Sequence, residues 1–161
     1  MKELLIIRHA KSSWEYEVSD RDRPLQERGI RDAHRIGAAL SAELAPPEAV
    51  FSSPANRALH TCMIIMRQLE LPLNLLEVTE SLYDFGGVGL RTFVKGLDNS
   101  LDRVMLFGHN HAITDTANAW GNSYFDNIPT AGFVHLKFET NTWSSITEGL
   151  TDRTLFPKAL R

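Results

Sequence analysis

Two arginines and two histidines carry the chemistry that this sequence offers. The stretch LLIIRHAKSSW, residues 4–14, runs four aliphatic residues and then sets Arg8, His9 and Lys11 directly after them. Burying a cation and an imidazole is costly unless something pairs with them. Arg57 follows the apolar run Ala49-Val50-Phe51 and Ser53-Pro54, and His109 sits in Gly108-His109-Asn110 after a third apolar run. Guanidinium groups present planar, bidentate donors that match phosphate oxygens, so Arg8 and Arg57 suit a clamp on one phosphoryl group. An imidazole beside such a clamp can attack phosphorus, splitting one hard displacement into two easier ones. A second imidazole, when protonated, hydrogen-bonds the equatorial oxygens as charge spreads over them.

These residues act together only if the fold brings them together. Leu4–Ile7, Ala49–Ser52, Leu75–Val78 and Arg103–Phe107 read as strands. Between them, Ile30, Ala33, Gly37, Leu40 and Leu44 fall at helical spacing. Ser53 as cap and Pro54 at the first helical position start a second helix, with Ala55, Ala58, Leu59, Cys62, Met63, Met66 and Leu69 as its buried face. A further helix after Asn110 holds Ile113, Ala117 and Trp120. Phe133–Phe138 and Trp143–Glu148 alternate around Thr140-Asn141-Thr142, the pattern of a hairpin. Strands alternating with helices predict an α/β fold, a three-layer α/β/α sandwich with a mostly parallel central sheet. In such sheets the binding crevice lies outside the carboxyl ends of the strands. Arg8, His9, Arg57 and His109 all map to that edge, beside helix N-termini that favour an anion.

Composition narrows the partners. The 161 residues are 43% hydrophobic and 23% charged, as expected of one domain spanning residues 1–161. A net charge of -3 gives no bias toward nucleic acid or an anionic membrane, and neither is expected as a partner. Cys62, the single cysteine, excludes a disulfide framework and a thiolate cluster, and reads as a small core hydrophobe. The first strand begins almost at Met1 without a leader, and no apolar run approaches the ~20 residues of a membrane span, so a cytoplasmic location is expected. His109-Asn110-His111, with Asp115 nearby, invites a zinc reading, but catalytic zinc usually has three protein ligands and no motif here demands them; no metal and no cofactor is expected. His34, His60 and His135 read as structural.

The motifs, taken in order, resemble a known family. LLIIRHAKSSW, DRPLQERG at 22–29, FSSPANRALHT at 51–61, ESLYDF at 80–85, VMLFGHN at 104–110 and IPTAGFVHLKF at 128–138 are similar to segments of the histidine phosphatase superfamily (branch 1), in particular its SixA-type phosphohistidine phosphatases. The resemblance implies a phosphoglycerate-mutase-like core and a metal-independent phosphatase. It makes His9 the nucleophile that becomes phosphohistidine. Arg8 and Arg57 would hold the phosphoryl oxygens, and His109 would be the charge-stabilising imidazole. It points to Asp84 as the general acid of ester-cleaving members, with Glu80 in reserve. Ala10, His111 and Gln26 depart from the family's usual glycine, proline and capping Thr or Ser.

Only 24 residues separate Asp84 from His109, which leaves no room for the lid that mutase-like members insert there. The open cleft that follows, with Trp14 and Tyr83 at its rim, suits a phosphorylated protein or a small phosphorylated compound held loosely. The favoured substrate is protein phosphohistidine. An imidazole leaving group, with a conjugate-acid pKa of ~6.5, needs a general acid far less than an alkoxide does. A phosphatase for small esters, dependent on Asp84, is the alternative within enzymes. A non-catalytic phosphoprotein-binding module is the alternative outside them, though pure binding would need no nucleophile.

Overall fold

Leu4-Leu5-Ile6-Ile7 is apolar at every position because both faces of its strand are covered. The computed structural model describes residues 1–161 and contains six strands: β1 (Lys2–Arg8), β2 (Ala49–Ser52), β3 (Leu76–Val78), β4 (Arg103–Gly108), β5 (Phe133–Phe138) and β6 (Leu150–Leu155). They form one sheet in the order β3-β2-β4-β1-β5-β6; the first four run parallel, β5 runs antiparallel to β1, and β6 antiparallel to β5. Helices α1 (Glu27–Ser41), α2 (Asn56–Gln68), α3 (Val88–Lys95) and α4 (Ala112–Trp120) complete the chain. No helix is long and apolar enough to cross a membrane.

Side-chain alternation along the central strands builds two cores. Leu5, Ile7, Val50, Met105 and Phe107 pack with Ala33, Ile36 and Leu40 of α1 and Cys62, Ile65 and Met66 of α2. Leu4, Ile6, Val104 and Leu106 point the other way, onto Leu90 and Val94 of α3 and Ile113, Ala117 and Trp120 of α4. This is the expected three-layer α/β/α sandwich, and its parallel strands are hydrophobic on both sides for the expected reason. Burial in the first core pushes the Cys62 thiol up to about 12, so it stays an unreactive thiol. The segment between Asp84 and β4 is used for α3, which the periodicity analysis missed and which packs into the core rather than over the cleft.

Three boundaries differ from expectation. α2 begins at Asn56, not Pro54, and Ala55 at its N-cap gives no side-chain cap; Ser53 is drawn to His109 instead, as described below. The partner strand of β5 is Leu150–Leu155 rather than Trp143–Glu148. Trp143 and Ile146 lie three apart because they bracket a 3-10 turn, and the buried Trp143 indole donates its N–H to the Leu101 carbonyl at 2.8 Å. The third strand starts one residue later than expected, at Leu76.

α1 is anchored to the loop that follows β1. Ser12 bridges Leu25, the Gln26 N–H donates to the Lys11 carbonyl at 2.9 Å, and the Gln26 side chain donates to the Ser12 carbonyl at 3.1 Å. Gln26 thus leaves the α1 cap empty to hold this loop. Gly29 permits the close approach: a Cβ there would lie 2.2 Å from the Lys11 carbonyl oxygen, a backbone atom that cannot step aside. Gly29→Ala should therefore cost about 2 kcal/mol. In a chain of this size that lowers the thermal midpoint by roughly 4–8 °C, and calorimetry of the purified variant would show it.

Candidate active site

The strand order β2-β4-β1 sets the chemistry side by side. The Ser53 N–H donates to the Phe107 carbonyl at 3.0 Å and the His9 N–H to the Gly108 carbonyl at 3.0 Å. The residues just past three neighbouring strand ends are thereby tied to one another. A cleft at this edge is lined by Arg8, His9, Arg57 and His109, joined by Lys11, Ser12, Trp14, Asp20, Arg23, Phe85, Asn110 and Thr130. All four residues singled out by their chemistry thus meet at one place.

His9 is buried, and its Nδ1 donates to the Ala10 carbonyl at 2.7 Å. A carbonyl oxygen only accepts, so that bond puts the proton on Nδ1 and leaves the Nε2 lone pair free. Burial, helped by His109 and the two arginines and opposed by the Ala10 bond, pushes the imidazole pKa down to about 3. At neutral pH the ring is therefore uncharged, the state a nucleophile needs. The loop behind it is pinned as well: Ala10 N–H donates to Thr61 Oγ1 at 2.9 Å, and that hydroxyl donates to the Arg57 carbonyl at 2.7 Å. Ala10 is fully buried and its φ is not positive, so the backbone here does not require the glycine it replaces.

The His109 ring lies 5.3 Å from that of His9, centroid to centroid, and packs against Phe85 at 4.7 Å and Tyr83 at 5.5 Å. Its Nε2 forms a 2.8 Å hydrogen bond with Ser53 Oγ, and its buried Nδ1 has no protein partner. Burial first, then the Arg57 charge, lowers its pKa to about 4. Ser53 acts through His109 as a positioning residue: Ser53→Ala should lower kcat about tenfold with KM little changed, and shift the pH profile of kcat, because it removes the bond that orients the imidazole. Steady-state kinetics across pH would show whether only stability has moved.

Arg57, at the second position of α2, is 2% exposed. Its Nη1 donates to the Asp20 carbonyl at 2.6 Å and its Nη2 to the Asp20 carboxylate at 2.9 Å. Arg8 donates from Nη1 to the Ile128 carbonyl at 2.8 Å, and Nε of both arginines is buried without a partner. Arg23, which the sequence analysis does not single out, also lines the cleft. It donates to the Ser13 carbonyl and Ser12 Oγ, and stacks its guanidinium 3.3 Å from the centre of the exposed Trp14 ring. The charge run Ser19-Asp20-Arg21-Asp22-Arg23 was the available signal for Asp20 and Arg23.

Asp84 stands beside the cleft rather than in its lining, near enough for its charge to act on His109. Its Oδ2 accepts the N–H groups of Gly87 and Leu90 at 2.9 and 3.0 Å, so the carboxylate closes the start of α3. Glu80 is exposed and pairs with Arg21. Tyr83 stands behind the rim, its hydroxyl donating to Asp20, while Trp14 forms part of the rim itself. His111 is exposed, and no group of three or more His, Cys, Asp or Glu side chains is arranged to ligate one ion.

Residues 4–93 match the sequence profile of the histidine phosphatase superfamily (branch 1). The chain belongs to that superfamily. A Mycobacterium tuberculosis protein of uncharacterised function is 27% identical over 153 residues, covering 89% of this chain and 93% of the relative. Among solved structures, the protein histidine phosphatase SixA complexed with tungstate superposes with a TM-score of 0.83 at 22% identity, covering 99% of both chains. A mycobacterial glucosyl-3-phosphoglycerate phosphatase superposes with a TM-score of 0.68 at 14% identity, covering 97% of this chain and 98% of the other. At these identities the likeness establishes the shared fold, the expected phosphoglycerate-mutase-like core with no lid inserted before β4.

Proposed function

We propose that this histidine phosphatase superfamily member is a cytoplasmic, metal-independent phosphatase that removes phosphoryl groups from protein phosphohistidine. The observation that carries the reading is the neutral His9, with Nδ1 tied to the Ala10 carbonyl and Nε2 free, in a cleft shared with Arg8, Arg57 and His109. His9 Nε2 attacks phosphorus; the P–N bond of the substrate breaks, and its electron pair leaves on the imidazole, which takes up a proton. Arg8 and Arg57 hold the phosphoryl oxygens. His109, held neutral by burial, gains a proton as the anion binds and hydrogen-bonds the developing charge. Water then breaks the phospho-His9 bond, releasing phosphate and restoring His9.

Two observations favour phosphohistidine over a small ester. Asp84 Oδ2 is engaged by backbone amides at the start of α3 and Asp84 is not among the residues lining the cleft, whereas an ester strictly needs a proton donor. The chain also superposes more closely on the structure named as a protein histidine phosphatase, with a TM-score of 0.83, than on the glucosyl-3-phosphoglycerate phosphatase, with 0.68. Asp84→Asn should then leave phosphohistidine hydrolysis within about threefold of wild type, since no general acid is removed from that reaction. A hundredfold loss on aryl or alkyl phosphates, with phosphohistidine turnover lost in parallel, would assign Asp84 as a true acid and move the substrate to esters.

The decisive experiment follows label from a histidine-phosphorylated phosphorelay domain in the presence of the protein, with and without chelator. Rapid release unaffected by chelator supports the reading. Release only from small esters shifts the substrate, and tight binding without release leaves a phosphoprotein-binding module.

A further inference from the structure

Asp20 is the only carboxylate among the residues lining the cleft. Its Oδ2 accepts from Arg57 Nη2 at 2.9 Å and from the Tyr83 hydroxyl, Oδ1 lies 3.5 Å from Arg23 Nη1, and its backbone carbonyl takes Arg57 Nη1. One residue thus occupies both terminal nitrogens of a guanidinium at the heart of the cleft. Its carboxylate also reaches a second cleft arginine, much as a small oxyanion would. Burial works against its ionisation, but the bonds from Tyr83 and Arg57 outweigh that and hold its pKa at about 2, so the charge is present throughout the neutral range. The Asp20 side chain is 45% exposed, so it has water to turn towards when it leaves Arg57.

We propose that Asp20 is a built-in competitor for the phosphoryl site, a specificity-determining carboxylate that disfavours free phosphate and small phosphate anions. The proposal rests on the reading of Arg57 as a phosphoryl ligand. An incoming phosphoryl dianion either displaces the carboxylate or lies beside it, and both cost affinity because the charges are alike. Free phosphate has only the cleft itself to offset that cost. A phosphoryl group borne on a larger carrier adds contacts on the surrounding rim, where Trp14 and Phe85 are exposed, and binding energy from such non-reacting parts offsets the displacement. Asp20 therefore favours a carried phosphoryl group over a free one, and it also limits inhibition by the inorganic phosphate product.

Calorimetric titration of inorganic phosphate tests this without requiring turnover. Asp20→Asn and Asp20→Ser, both replacing an exposed loop side chain, should each bind phosphate at least about tenfold more tightly than wild type. Adding Arg57→Ala to Asp20→Asn should remove the gain. Unchanged or weaker binding in the two folded single variants, with wild-type binding still lost on Arg57→Ala, would overturn the competitor and keep Arg57 as the phosphoryl ligand. Absence of phosphate binding in every variant would overturn both.

Discussion

His9→Ala is expected to lower phosphohistidine hydrolysis by at least about 10⁴-fold while leaving a folded protein. The magnitude follows from removing the atom that forms the covalent intermediate, after which only binding and electrostatic stabilisation remain. Acid-quenched wild-type protein incubated with labelled substrate should retain label on the chain, and the variant should retain none. His9 borders the cleft, so water can fill the space left by the ring, and the thermal midpoint should stay within roughly 5 °C of wild type. The buried imidazole also leaves a pH signature. Its folded-state pKa of about 3 lies below the ordinary 6.5, so the unfolded chain binds the proton more readily between those values. Wild-type stability accordingly falls as pH drops from 6.5 toward 3, and His9→Ala should lose less over that window. A variant retaining most of its activity would exclude the covalent route.

Arg57→Ala is the second large effect, expected at about 10³-fold in kcat/KM with kcat and KM both affected. A guanidinium that contacts the phosphoryl oxygens in ground and transition states contributes to binding and to stabilisation of the spreading charge. Arg57→Lys keeps the charge but loses the planar fork, and should recover no more than about tenfold of that loss. The stability cost is modest, about 1–2 kcal/mol, because the partner left behind, Asp20, is half-exposed and keeps Tyr83 and Arg23. Steady-state kinetics on one substrate separates the two variants. An Arg57→Ala protein within threefold of wild type would remove Arg57 from the phosphoryl site.

Much of this is legible in the sequence because the decisive signals are local. Leu4–Ile7 is apolar at every position, and that alone requires cover on both faces and hence a central strand. The end of such a run at Arg8-His9 marks the strand's carboxyl edge, where α/β sheets hold their sites. The same logic placed His109 after β4 and Arg57 in the first turn of α2. Local signals failed where one residue had two competing uses. Ser53 reads as a helix cap, yet its hydroxyl is taken by His109, brought from 56 positions away by the β2–β4 pairing. Trp143 and Ile146 fall in a stretch that reads as a strand but are two apolar points on a 3-10 turn, held by the distant Leu101 carbonyl.

The sequence by itself determined the fold class, the two buried cores and the chemical identity of the four central residues, because hydrophobic period and strand-end position are written in neighbouring residues. Tertiary structure alone decided which nitrogen of His9 is free and how far burial lowers the two imidazoles. It alone turned Asp84 to the amides of α3 and seated Asp20 on Arg57. Those outcomes depend on hydrogen bonds, charges and desolvation between segments up to 100 residues apart, as for His9 and His109, whose rings lie 5.3 Å from each other, and no local pattern records them.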